Sequence, residues 1–105
     1  MTFDIERHDE DGGIRIVVRG EVDMTTGDRF EREVLAAEER QPATLTIDLT
    51  GVDFLDSTGL QIVLDADVRA QAAGHRLVVL PGEGEAARVF ALAEVADRLS
   101  AGVVK

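Results

Sequence analysis

Apolar residues recur along this chain first at every second position and then at every third or fourth, and the switches between the two periods lay out its elements. In TFDIERH, Phe3, Ile5 and Arg7 share one face against Asp4 and Glu6, the period-two pattern of a strand. Asp11-Gly12 is a tight-turn signal, and IRIVVRG after it is β-branched and largely apolar, which predicts a more buried strand. These two strands are expected to form a hairpin. GEVDMTTGDRFEREVLAAEER then changes period. Phe30, Val34 and Leu35 inward, with Glu38 and Glu39 outward, fit an amphipathic helix of about 14 residues. Thr25, Thr26 and Asp28 are its capping candidates, and Pro42 ends it.

ATLTIDLTGV returns to alternation, with Leu45, Ile47 and Leu49 against Thr44, Thr46 and Asp48. LQIVLDADVRAQAAG is helical, with Leu60, Val63, Leu64 and Val68 on one face and Gly74 as the stop. HRLVVLPG reads as a buried strand. EGEAARVFALAEVADRL reads as a helix with Val89, Phe90 and Leu92 inward, and SAGVVK as a short final strand or a frayed end. Strands joined through crossover helices imply parallel neighbours, so the hairpin makes the sheet mixed. No Pro/Gly/Ser linker or internal repeat divides the chain. The expectation is a single α/β domain over 1–105.

The formal net charge of −10 narrows the partners. It disfavours nucleic acid, which needs a basic face, and anionic membrane surfaces. It would steer a protein with a basic docking surface toward this one, although acidic surfaces also serve plain solubility. The 105 residues, 45% hydrophobic, allow a core without metal or disulfide staples. The absence of cysteine removes thiol chemistry and suits a reducing, cytoplasmic location. MTFDIERHDED is acidic and lacks an apolar h-region, so no signal peptide is expected, and no apolar run reaches the roughly 18 residues of a membrane span.

Enzymatic readings fare poorly. A hydrolase needs a nucleophile, a base and an oxyanion hole. Ser57 and Thr58 offer hydroxyls, but nothing brings His8 or His75 to them, and Leu55-Asp56 before Ser57 breaks the G-x-S-x-G elbow. Asp53 with Asp56, and Asp65 with Asp67, lack a third ligand at metal spacing. PGEGE has no Walker lysine. No catalytic residue, metal or cofactor is expected.

What remains is DFLDSTGLQ, residues 53–61, at the end of a parallel strand, where open α/β sheets place their sites. Asp56 or Ser57 can cap the following helix. Leu60 stands where a capping box on Ser57 would need Glu or Gln. Gly59 weakens the first turn but lets another surface approach closely. Local chemistry alone favours an ordinary cap. It also permits a phosphate on Ser57 beside the helix N-terminus, added by another enzyme.

The chain resembles the STAS domain family, the anti-sigma factor antagonists of bacteria, over nearly its whole length. RGEVD at 19–23 resembles the family's Gly-Glu-(aliphatic)-Asp stretch. IDLTGVDFLDSTGL at 47–60 resembles its central strand and Asp-Ser-(Ser or Thr)-Gly-Leu motif, and AGHRLVVLPG the next strand and turn. The resemblance implies a STAS-like mixed sheet and a protein that is not an enzyme. It implies phosphorylation on Ser57, with Thr58 the lesser alternative, and partner contact through Asp23, Asp56, Ser57, Thr58 and Gly59. The implied partners are an anti-sigma factor with serine kinase activity, bound while Ser57 is unmodified so that a sigma factor is released, and a serine phosphatase that resets the switch. The alternative is a STAS subunit of another assembly, such as a lipid-transport complex, docking without phosphorylation. The tail departs from the family, because LAEVADRLSAGVVK lacks the usual threonine- or serine-glycine turn.

Overall fold

The computed structural model of the protein describes residues 3–92. Its elements are β1 (Phe3–Glu10), β2 (Gly13–Val22), α1 (Gly27–Glu39), β3 (Thr44–Leu55), α2 (Ser57–Ala73), β4 (Arg76–Leu80) and α3 (Glu85–Leu92). They form one four-stranded sheet of order β1-β2-β3-β4. β1 is antiparallel to β2, and β2, β3 and β4 are parallel. This is the mixed α/β sheet that the hairpin and the crossover helices predict. The expected final strand or frayed end at SAGVVK, and the inward packing of Phe90 and Leu92, lie outside what is described.

The strand alternation determines which face the helices cover. Ile14, Ile16 and Val18 of β2 pair in register near Leu45, Ile47 and Leu49 of β3 and Leu77 and Val79 of β4, and all are buried. Phe30, Val34 and Ala37 of α1 and Ile62, Val63, Ala66 and Ala70 of α2 close over them in one core cluster, to which Ala86 of α3 is added. Burying the Val, Leu, Ile and Phe side chains among them contributes roughly 1.5–3 kcal/mol each. The other face carries ion pairs instead. Arg19 donates to Asp4 and Glu6, and Arg15 to Glu10 and Asp48. The exposed charges of β1 also protect an edge strand from pairing with other chains.

The central strand is longer than its alternation suggests. β3 runs through Gly51-Val52-Asp53-Phe54-Leu55, because its pairing with β2 slips twice, between Val17 and Arg19 and between Gly20 and Glu21. Each slip adds one residue to β3, a bulge that re-aims the side chains after it. The buried positions therefore step from Leu45, Ile47 and Leu49 to Val52 and Leu55. A strict period of two cannot see this.

Two helix faces differ from the expected ones. In α1, Leu35 is exposed and Glu38 is half-buried. The Glu38 carboxylate accepts from Arg69 Nε at 2.7 Å and Nη2 at 3.0 Å, a bidentate pair that ties α1 to α2. That carboxylate raises the Arg69 pKa above its ordinary value, against the opposing effect of burial. In α2, Val68 is 64% exposed and the buried face runs through Gly59, Ile62, Val63, Ala66, Asp67 and Ala70. Small residues lie inward because the helix packs close to the sheet. The heavier aliphatic stripe is offset from the true interface and only partly covered. Gly74 ends α2 as expected, at a φ of 79°, a conformation favourable for a residue without Cβ.

The buried face of α2 can be tested by substitution. Val63→Ala should lower the unfolding free energy by about 2 kcal/mol, and Val68→Ala by less than about 0.5 kcal/mol, in urea titrations of the two variants.

Candidate partner-docking site

Parallel β2 and β3 end side by side, with Val22 paired to Leu55. The residue after each is an aspartate, so the chain turns out of the sheet twice at one place. Both turns are organised by that aspartate. Asp23 Oδ1 accepts from the Thr25 hydroxyl at 2.6 Å, from Thr25 N–H at 2.8 Å and from Thr26 N–H at 3.2 Å. The Thr26 hydroxyl donates to the Glu21 carbonyl and accepts from Asp23 N–H. Thr26 is thus the residue before α1 without making a side-chain cap bond to the helix; the capping role expected of Thr25 and Thr26 goes to stabilising the Asp23 turn.

Asp56 is the N-cap of α2. Its Oδ1 accepts from Thr58 N–H at 2.9 Å and Gly59 N–H at 3.3 Å, while its own N–H donates to the Val22 carbonyl. The cap therefore also ties the start of α2 to the end of β2. With these donors taken, and Leu60 N–H bonded to the Asp56 carbonyl, the first turn has little left to hold an anion. The cap thus uses donors that a phosphate beside this helix N-terminus would need.

Ser57 is the first residue of α2 and is exposed. Thr58 is half-buried and turns its methyl toward α1. A Cβ added at Gly27 would come within 2.7 Å of Thr58 Cγ2. The two hydroxyls so placed are not equivalent: Ser57 projects from the surface, and Thr58 wedges the two helix starts. Gly59 is buried, and a Cβ there would overlap Leu55 Cδ1 and lie 2.7 Å from Val22 Cγ1. The close approach that its glycine permits is to the chain's own strand ends.

Two apolar residues complete this end of the molecule. Met24, between Asp23 and Thr25, is 79% exposed, and Phe54, paired to Glu21, is 43% exposed. Sequence reasoning passed over both. Met24 directly follows the GEVD stretch, and Phe54 falls where the bulges overturn the alternation. Among the described residues, Asp23, Asp53 and Asp56 form no ion pair with a cation. This end of the molecule thus carries two exposed apolar residues and three aspartates without a paired cation. His8 and His75 stand toward the opposite end of the sheet, paired to Arg15 and preceding the first residue of β4, and neither can serve Ser57 as a base.

A family model described as Mlab, STAS domain matches residues 5–104. The chain is 30% identical over 95 residues to an anti-sigma-B factor antagonist of Listeria monocytogenes, across 90% of this chain and 80% of that protein. It is similar to the crystal structure of an anti-sigma factor antagonist from Mycobacterium paratuberculosis, with a TM-score of 0.84 and 28% identity over 94% of this chain and 84% of that one. The phosphorylated form of the Bacillus cell fate determinant SpoIIAA shares the fold, with a TM-score of 0.71 and 19% identity over 98% and 89% of the two chains.

The turn hydrogen bonds, led by the Thr25 hydroxyl, hold the Asp23 pKa below the ordinary carboxylate value. Because the folded value is the lower one, the stabilisation is present above the unfolded pKa and is lost as pH falls through the folded one. Thr25→Val should raise the Asp23 pKa toward the ordinary range, as followed by NMR titration of its carboxyl carbon. Gly59→Ala should destabilise the domain by about 1–3 kcal/mol through overpacking, measured by urea unfolding.

Proposed function

The chain belongs to the STAS domain family, and we propose that within it this protein is an anti-sigma factor antagonist switched by phosphorylation of Ser57. Unmodified, it docks on an anti-sigma factor that is also a serine kinase, and the sigma factor is released. The kinase then phosphorylates Ser57, the complex dissociates, and a serine phosphatase restores the starting state. The observation that carries this reading is the exposed Ser57 at the first position of α2, at the end of the sheet where Met24 and Phe54 are also exposed. The names of the Listeria and Mycobacterium relatives support the same direction.

The arrangement supplies a mechanism for each half of the cycle. Met24 and Phe54 offer apolar anchors of the kind that dominate binding energy at interfaces, and Asp23 and Asp56 attract a basic partner. Each aspartate uses Oδ1 within its own turn, which keeps the carboxylate fixed while Oδ2 makes none of these turn bonds. Thr58 contributes by holding α1 and α2 in register, and Gly59 by seating α2 on the strands. A phosphate on Ser57 adds about −1.5 to −2 charge. It arrives beside the Asp56 carboxylate, whose hydrogen bonds already occupy the Thr58 and Gly59 donors. The new charge would repel the acidic neighbours and require desolvation in the complex, so affinity falls while the fold persists.

Incubation with the candidate anti-sigma kinases of the same genome and ATP should add one phosphate to Ser57, located by mass spectrometry and absent in Ser57→Ala. Ser57→Asp should weaken kinase binding about 30- to 1000-fold, equivalent to roughly 2–4 kcal/mol, in calorimetric titrations. Binding of Ser57→Asp as tight as wild type would sink the switch. Absence of phosphate with every kinase, alongside stable association with transport subunits, would replace it with the docking-module role.

A further inference from the structure

At the end of the sheet opposite Ser57, the C-terminal ends of α1 and α2 and the approach to β4 enclose an open cavity of about 810 Å³. Leu35, Pro42 and Ala73 line it with apolar surface, and Glu39, Arg69 and His75 bring polar groups. Nothing in the proposed switch uses it.

The charge left uncompensated around this cavity is negative. Helix C-termini carry partial negative charge from unsatisfied carbonyls; neither α1 nor α2 has a basic residue in its last turn, and Arg40, the C-cap of α1, is paired with Asp9. The Arg69 guanidinium, the cation in the lining, is held bidentately by Glu38. Glu39 forms no ion pair among the described residues. In the wall, His75 Nε2 is buried with no hydrogen-bond partner, although buried polar atoms are ordinarily bonded. When the other ring nitrogen carries the proton, Nε2 is an unmet acceptor. Leu35, exposed on a helix face that the amphipathic pattern assigns to the core, adds apolar surface at the rim.

From these features we infer that the cavity binds a primary aliphatic amine. Its ammonium group lies toward Glu39 and the helix ends, and its carbon chain lies along Leu35, Pro42 and Ala73. A carboxylate or phosphate would meet negative charge here, and an uncharged chain would leave the acceptors unanswered. A free alkylamine and a lysine side chain of another protein share this chemistry.

The test is an NMR titration of the full ¹⁵N-labelled chain with hexylamine, 1-hexanol, hexanoate and an end-blocked lysine. Hexylamine should give saturable shifts at the amides of Ala73, Gly74 and His75 and leave Asp23 and Ser57 unmoved. Hexanol and hexanoate should bind at least about tenfold more weakly, the expected loss of a charge-assisted hydrogen bond. Ala73→Leu, which fills the cavity from an exposed helix end, should abolish the shifts, and Glu39→Gln should weaken hexylamine several-fold. End-blocked lysine binding as well as hexylamine identifies a protein side chain as the occupant, and binding of hexylamine alone identifies a free amine. Hexanol as tight as hexylamine, shifts spread over the acidic surface to Asp23, or no saturable shift at all would each overturn the inference.

Discussion

Everything at the proposed docking end depends on how closely the first turn of α2 can sit on the ends of β2 and β3. That distance is set by the hydrogen atom that Gly59 has in place of a side chain. A methyl group there would run into Leu55 and Val22, which are both buried and paired with one another. With the turn seated, Asp56 reaches the Val22 carbonyl through its own N–H and caps the helix through its carboxylate. Thr58 then lies against Gly27 and fixes where α1 begins. Two loops from different parts of the sequence are thereby locked together. Ser57 is carried on top of this assembly, next to rigid structure on every side except the solvent.

The same packing explains why negative charge can accumulate at this end. Asp23 and Asp56 are each satisfied locally by backbone N–H groups and, for Asp23, by a hydroxyl. Asp23 requires no cation to remain ionised. On the outer face of the sheet, by contrast, carboxylates share arginines. Arg19 bonds Asp4 and Glu6, and this holds the Glu6 pKa below its ordinary value. One acidic surface is internally compensated and the other is left able to attract.

Much of this was legible in the sequence, for identifiable reasons. The hairpin at Asp11-Gly12, the parallel strands and the stop at Gly74 each follow from a local rule that no tertiary contact overrides. The cap was readable only as a choice between Asp56 and Ser57, and the carboxylate won because its oxygen reaches two N–H groups of the first turn. Three features were hidden because they belong to pairs of elements. The bulges of β3 exist only against β2, so Val52 and Leu55 turn inward in breach of the alternation. Glu38 leaves its expected solvent position because Arg69, 31 residues later, stands across from it. In α2 the larger aliphatic residues suggested a stripe through Val68, but close contact with the sheet favours Gly59, Ala66 and Ala70 on the inner side. At the site itself, the acidic and hydroxyl residues stood out by type. Met24 and Phe54 did not, since an apolar residue declares itself as surface only when the fold fails to cover it.

The occupied cap of α2 also bears on how a mark on Ser57 would be kept. A helix N-terminus with free N–H groups can hold a phosphate and so shield it. Here Asp56 has taken the Thr58 and Gly59 donors, leaving a phosphoryl group on Ser57 turned to solvent with little intramolecular reward for staying. The domain would then have no memory of its own. How long the modified state lasts would be decided by the enzymes that encounter it, and the fold would serve as a neutral carrier of a message whose lifetime is set elsewhere.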